Sequence, residues 1–495
     1  MSARKNLIYG LLAVAAGWFF AGCEKPFHFP SQSLPAAAKA EGAAQAYDTD
    51  NDGKADFFMY ARSDGRLDRL GYDYNGDGAV DEIVKLDAIP TKHCRHLVII
   101  VDGVGYDIVK KHYDSGHLRL FHPPSRVVAP YPTMTDLAVD DFLDYMPCTA
   151  YEAMYYDRRA NRIVGGSRAY LTGRNEPYNR LLQYRAGLWW VPFFYLYPKS
   201  VFGKELNDFK RAFDKGRTQE MLTYFGSTAG MGTVYGAAGQ VECLHQFERL
   251  INQIVYETRG MTKITLISDH GHGYEPVTRI DFGKRLAEKG WRLTKSLEGP
   301  KDVAMVQFGL TTYASFYTHR RAELAGDLVT IEGVVLASYA EKDAVIVLAG
   351  GNERAVIREK TGRFGYEPTS GDPLQLKPIL AQLKADTDGY YDADDLLNAT
   401  GTHVYPDPLQ RIWRAHFGLV ENPADVIVSL EDRFCVGSNF FAAFVKAAST
   451  HGSLNYKNSV AFIMSTAGAL PPLMRSADVP KEMTRLLGAP WPMRK

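Results

Sequence analysis

Four short stretches carry side chains that can hold a metal ion or attack an electrophile. "KITLISDHGHGYEP", residues 263–276, runs apolar through Leu266 and Ile267 and then presents Asp269, His270 and His272 among glycines. Carboxylate and imidazole together suit a first-row dication, zinc foremost, although Asp, His and Gly also suit a polar turn at a sheet edge. "HLVIIVDGVG" ends another apolar run at Asp102, and "THGSLN" places His451 just ahead of the run "SVAFIMST". Singly these are an Asp-Gly turn, a capping Asp or a surface His; together they form a candidate metal site. In "APYPTMTDLAVDDFL", Pro130 and Pro132 fix an irregular loop and Thr135 opens what reads as a helix, with Asp136 in its first turn. A hydroxyl at a helix N-terminus meets favourable N–H groups, and a metal beside it would lower its pKa enough to attack phosphorus. Thr is also a common N-cap, and the two roles are compatible.

The elements that must position these groups are strands and helices in alternation. "HLVIIVDGVG" is a continuous β-branched run, as expected of a parallel strand buried on both faces. Val241, Leu244, Phe247, Leu250, Ile251, Ile254 and Val255 recur at helical spacing, Gly260 stops that helix, and the strand "KITLIS" follows. "GVVLASYAEKDAVIVLAGGNERAVI" reads as a β-meander. The expected fold is α/β, a mostly parallel sheet flanked by helices, with a β-rich insertion. In such a sheet ligands bind in the crevice outside the carboxyl ends of the strands, where Asp102, Asp269 and His270 fall.

The chain's 495 residues suffice for a large core, and 57 basic residues against 57 acidic ones give no net field that would argue for nucleic acid as partner. At the N-terminus Arg4 and Lys5 precede "LIYGLLAVAAGWFFAG", which stops at Cys23. The run is shorter than the roughly 20 residues that span a bilayer and has the layout of an export signal. "FAGC" resembles a bacterial lipoprotein signal, which makes 1–22 the signal peptide and Cys23 the lipidated residue, with 23–46 an Ala-rich tether. A cell-envelope protein held to a membrane by its lipid is the expectation. Cys94, Cys148, Cys243 and Cys435 contain no CxxC; export allows up to two disulfides, and small buried apolar side chains are the other reading.

Residues 47–90 hold a repeat. "DTDNDGKAD" sets Asp48, Asp50, Asp52 and Asp56 around Gly53, and 25 residues later "DYNGDGAVD" sets Asp73, Asn75, Asp77 and Asp81 around Gly78. Oxygen ligands at loop positions one, three, five and nine with Gly at six are what calcium requires. Position twelve is Met59 or Val84 rather than Glu, so the loops resemble the short calcium loops of thrombospondin type 3 or dockerin repeats more than an EF-hand. Two solvated Asp-Gly hairpin turns are the alternative. Calcium here would be structural.

"VIIVDGVG", "YPTMTD", "LISDHGHG" and "THGSLN" occur in the order seen in the alkaline phosphatase superfamily and most resemble its nucleotide pyrophosphatase/phosphodiesterase-like branch, over residues 94 to 470 of the 94–495 domain. The resemblance implies an alkaline-phosphatase-like fold and hydrolysis of a small-molecule phosphate ester, with a phosphorylated Thr between two zinc ions. It also implies that Asp102, Thr135, Asp269 and His270 hold the metal that activates the nucleophile and that His451 belongs to a second. The family's second metal also takes an Asp and a His four residues apart. In "YFGSTAGMGTVYG" those places are Ala229 and Thr233, neither of which replaces such a ligand. Ligands from elsewhere, one metal, or none remain open; Asp140, Asp141, Asp144, His245 and His272 are the spare candidates. A catalytically weak or inactive binding protein is therefore the alternative to an enzyme. The Tyr-, Trp- and Arg-rich segment 150–197 suits either recognition of an anionic group or an aromatic cap over the sheet.

Overall fold

The computed structural model describes residues 26–35, 40–166, 177–437 and 447–493; the signal segment 1–22, Cys23 and part of the tether lie outside them. A seven-stranded sheet carries the candidate residues, in the spatial order 473–475, 125–128, 460–465, 262–268, 95–101, 220–225, 184–185. Arg95–Val101 lies at its heart, parallel to Thr262–Ser268 on one side and to Glu220–Phe225 on the other.

The uninterrupted apolar run of this strand has a direct cause. Leu97, Ile99 and Val101 pack into one core with the helices Tyr106–Asp114, Pro198–Lys215 and Ser227–Thr258. Val98 and Ile100 pack into another with the helix Thr135–Phe142 and the C-terminal helix Val479–Leu487. With helices on both faces, neither set of alternating positions meets water, so both must be apolar.

Val460–Ser465 runs antiparallel to both of its neighbours, whereas the other pairings in this sheet are parallel. The reversal matters for the site. It brings the residues that precede this strand, His451 among them, to the edge where its neighbours have their carboxyl ends.

A nine-stranded sheet occupies the span 292–430, and within it Val334–Glu341, Ala344–Ala349, Glu353–Lys360 and Arg363–Ser370 pair consecutively and antiparallel. Its two faces feed separate apolar clusters. Residues 45–85 form a four-stranded antiparallel sheet whose Tyr47, Phe57, Met59 and Tyr72 belong to the same core as the central strand. Tyr256 near the end of the long helix is the junction: its ring lies 4.9 Å from Phe57, its hydroxyl accepts from Thr49 Oγ1 at 3.0 Å, and its carbonyl accepts from Tyr72 at 3.0 Å.

The helix inferred from Val241 onward begins earlier, at Ser227, and breaks at Gly236, whose φ of 60° and ψ of −145° lie outside helical space. Arg259 and Gly260 then close it in left-handed conformations. Cys94, Cys148, Cys243 and Cys435 are all free and buried, the apolar alternative of the two.

Candidate metal centre

In-register pairing builds the centre. Val101 pairs with Ser268, so the next residue of each strand, Asp102 and Asp269, emerges beside the other at the carboxyl edge. Both are buried. Asp269 Oδ1 accepts the backbone N–H groups of Gly103 at 2.9 Å and His270 at 2.8 Å, and Asp102 Oδ2 accepts the Tyr224 hydroxyl at 2.5 Å. Each carboxylate is thus held by one oxygen; the other, Asp102 Oδ1 and Asp269 Oδ2, is buried with no hydrogen-bond partner meeting normal geometry among the described residues.

His270 Nδ1 donates to the Gly271 carbonyl at 2.9 Å, which leaves a lone pair on Nε2. That nitrogen stands 3.4 Å from Asp269 Oδ2, 3.8 Å from Asp102 Oδ1 and 3.3 Å from Thr135 Oγ1. Two orphaned carboxylate oxygens and one imidazole lone pair, within 4.8 Å of one another, are a donor set short of a cation. The residues therefore fit a divalent metal.

Thr135 is the first helical residue of Thr135–Phe142, and the cap position is Met134, so its hydroxyl is not consumed in capping. It is half-buried, and Oγ1 faces His270. His451 is fixed by Nδ1, which donates to the Thr133 carbonyl at 2.9 Å, and its ring stacks on His270 at 3.9 Å. Asp102, Thr135, Asp269, His270 and His451 are brought together.

Backbone shape is part of the centre. Gly103 has φ +72°, and a Cβ there would lie 2.7 Å from the ring of His272, so only glycine lets the strand end turn under the imidazoles. Its carbonyl accepts from Gln240, whose own side-chain carbonyl accepts from Tyr274 at 2.5 Å, while the Tyr274 oxygen accepts from Gly105 N–H at 2.9 Å. Gln240 and Tyr274 went unnoticed in the sequence, as did Tyr224, because nothing in their spacing separates them from ordinary polar and aromatic positions.

The spare candidates divide. His272 is buried in the centre, its Nδ1 2.8 Å from Ser449 Oγ and its Nε2 with no partner among the described residues. Asp140 and Asp141 are buried rather than solvated: Cys148 Sγ lies 3.2 Å from Asp140, and Arg414 at 2.7 Å together with Ser476 engages Asp141. His245 sits in a different cluster altogether. Ala229 and Thr233 are both buried, one turn apart at the start of the long helix, where Thr228 Oγ1 donates to the Asp102 carbonyl at 2.9 Å and the Thr233 carbonyl accepts from Ala448 N–H at 2.7 Å. Nearby, Phe194 of the helix Val191–Leu196 presses so close that a Cβ on Gly230 would meet its carbonyl. Arg168 and Arg174 of the aromatic segment lie outside the described residues.

Burial sets the electrostatics. It raises both carboxyls, Asp102 well above its ordinary range with the Asp269 charge adding to the effect, and in Asp269 the Gly103 and His270 N–H groups oppose it. It lowers His270 to about 4 and His451 to about 3, so both imidazoles are neutral at pH 7 and available as ligands. Without a cation the folded chain therefore holds carboxyl protons that the unfolded chain releases near pH 4, so the carboxyl contribution to stability falls as pH rises from there, while the lowered imidazoles contribute in the opposite sense up to about pH 6.5. Asp102→Asn is expected to raise the metal-free Tm at pH 8 relative to pH 5, by the equivalent of about 1–2 kcal/mol, and to remove the Tm rise given by zinc. Differential scanning calorimetry in chelator and in zinc checks it; a lower metal-free Tm for the variant would count against a strained carboxylate pair.

The sequence matches no family model and no curated protein. Among solved structures it is similar to murine ectonucleotide pyrophosphatase/phosphodiesterase 5, at 10% identity over 81% of this chain and 97% of that one, with a TM-score of 0.43. The human protein of that name gives 9% identity, 81% and 96% coverage, and a TM-score of 0.44. Phosphonoacetate hydrolase from Sinorhizobium meliloti 1021, in complex with phosphonoformate, gives 11% identity, 85% and 99% coverage, and a TM-score of 0.43. At these values the likeness lends nothing to the chemistry of the centre, which stands on its own geometry.

Proposed function

We propose that this chain is a metal-dependent hydrolase of phosphate esters, of the alkaline-phosphatase kind, with Thr135 as nucleophile. One observation carries it: Thr135 Oγ1 stands 3.3 Å from His270 Nε2, which in turn faces the two oxygens of Asp102 and Asp269 that lack a hydrogen-bond partner among the described residues. Those three residues would hold a first-row dication, zinc by the donor set, with His451 against them. When bound, such an ion supplies positive charge that lowers the pKa of an adjacent hydroxyl and offsets charge developing on a phosphoryl group.

The chain's own groups do the rest. The Gly271 carbonyl keeps the His270 proton on Nδ1, so Nε2 stays a lone pair at every turnover. Tyr224, Gly103 N–H and His270 N–H aim the carboxylates, and burial keeps bulk water from competing with them. Thr135, at the head of its helix, makes the bond to phosphorus as the ester oxygen leaves, and water then cleaves the phosphothreonine.

A second reading has its own observation. Ala229 and Thr233 supply no ligand beside His451, which favours a cell-envelope binding protein that keeps the cleft without the chemistry. Metal content by plasma mass spectrometry, with hydrolysis of p-nitrophenyl phosphate and bis-p-nitrophenyl phosphate by wild type and Thr135→Ala, separates the two. Transition metal with Thr135-dependent turnover supports the enzyme; neither metal nor turnover on either ester would leave the binding protein.

Calcium is proposed for the two Asp-rich loops as a structural ion. They share key bonds: Asp48 and Asp73 each accept from the glycine N–H five residues on at 2.8 Å, and Asp56 and Asp81 each accept from the N–H at loop position two at 2.7 Å. Carboxylate oxygens of Asp48, Asp50 and Asp52 lie within 4.8 Å of one another. Calcium at 1 mM is expected to raise Tm, and Asp50→Ala with Asp77→Ala to abolish most of that rise while leaving the Tm in chelator within a degree or so. An undiminished calcium response in the variant would make the loops simple hairpin turns. Export as a lipoprotein lipidated at Cys23 is likewise proposed, on the signal-like run before it; the mass of the mature N-terminal peptide decides it.

A further inference from the structure

A second cluster of imidazoles lies away from the centre. The helix Tyr106–Asp114 starts just after the Asp102–Gly103 turn, and His112 stands near its far end, about 9 Å further along the axis than Tyr106. His117 follows in the next loop, and His245 and Glu248, three apart on the long helix, meet them. One ligand-capable atom from each of these four residues lies within 4.8 Å of those of the other three. The rings of His112 and His117 stack at 4.2 Å and 8°, and His245 stands edge-on to both, at 4.6 and 4.7 Å.

Two details separate this from ordinary aromatic packing. Glu248 fixes the tautomer of His117: Oε2 accepts from His117 Nδ1 at 2.8 Å and Oε1 accepts from Leu118 N–H at 2.6 Å, which leaves a lone pair on His117 Nε2. His112, only 5% exposed, keeps Nε2 buried with no hydrogen-bond partner among the described residues. A packed cluster would gain by replacing that nitrogen with carbon, whereas an ion would use it. Burial and the two neighbouring rings also hold His112 neutral, its pKa lowered to about 3, which is the form that ligates.

We infer that His112, His117, His245 and Glu248 form a binding site for a first-row transition dication such as zinc, nickel or copper, separate from the Asp102–Asp269–His270 centre. Three imidazole nitrogens and one carboxylate match the preference of these ions and are poor ligands for calcium or magnesium. His117 and Glu248 are partly exposed, so an ion can enter from solvent. An ion there would tie the loop after the helix Tyr106–Asp114 to the middle of the long helix, five residues beyond Gln240, whose side chain donates to the Gly103 carbonyl.

The test is zinc titration of the full chain in an Asp102→Asn/Asp269→Asn background, which removes both carboxylates of the centre, followed by calorimetry, cobalt absorption and X-ray absorption. One zinc per chain with an imidazole-rich shell is expected. Adding His117→Gln and His245→Gln is expected to weaken it at least 100-fold while the Tm in chelator stays within a degree or so. His245→Gln alone, at a half-exposed position, is expected to cost at least tenfold and serves if the multiple variant does not fold. Zinc affinity unchanged by either variant, or no zinc bound in the background protein, would overturn the inference whatever the centre itself does.

Discussion

Thr135→Ala is expected to lower turnover of a phosphate ester on the order of 10⁴-fold, about 5.4 kcal/mol in the barrier, with metal content unchanged or nearly so. The size follows from what the hydroxyl is asked to do. Among the described residues facing His270 Nε2, Asp102 and Asp269 would in the proposed site be engaged in holding the cation, while Thr135 offers the hydroxyl. Removing it leaves the helix, the cap position at Met134 and both carboxylates in place, so the fold gives no reason for a general collapse. Thr135→Ser keeps the oxygen and is expected to retain activity within about 100-fold, since what it loses is the methyl that restricts χ1. Steady-state kinetics of the two variants on the same protein preparation decide the matter. Should Thr135→Ala turn over like wild type, the nucleophile lies elsewhere and the contact with His270 is only a hydrogen bond.

Much of this centre was legible before any coordinates, and for a physical reason. Strands buried on both faces must be apolar throughout, so "HLVIIV" and "KITLIS" announce themselves, and a carboxylate at the end of such a run has no hydrophobic reason to be there. Thr135 was legible because prolines and a helix start bracket it. What the sequence left silent depends on contacts made across the fold. Tyr224 looks like any strand aromatic until register sets it next to Ile100, two residues short of Asp102. The reversed direction of Val460–Ser465, which delivers His451 to the edge, depends on which strand it pairs with, and an apolar run carries no sign of its direction. The burial of Asp140 and Asp141 is silent in the sequence because the partners that make it tolerable, Arg414 and Ser476 for Asp141, are more than 270 positions away. The His112 cluster shows the same limit, since two residues from 112–117 meet two from 245–248 only when their helices pack.

Ala229 and Thr233 stand where a second metal of the proposed site would need ligands, and supplying them is the most informative gain to attempt. Ala229→Asp with Thr233→His is expected to add about one transition-metal ion per chain and to raise turnover by roughly 10²–10³-fold, the several kcal/mol that a second cation gives by stabilising the leaving oxygen as well as the attacking one. The positions are one turn apart on the same helix, so their side chains share a face. That helix is pinned at both sides of the centre, through Thr228 to the Asp102 carbonyl and through the Thr233 carbonyl to Ala448, three residues from His451. Burying a new Asp and His is costly unless an ion compensates them, so the variant should be less stable than wild type in chelator and regain the loss in zinc. His272 offers the competing account: its Nε2 is buried in the same centre with no partner among the described residues, and it would already supply part of what Ala229 and Thr233 lack. His272→Ala alone distinguishes them. If that substitution lowers metal content and the double variant adds none, the second position is already served by His272; if the double variant gains metal and turnover while His272→Ala changes neither, the wild-type centre works with a single ion.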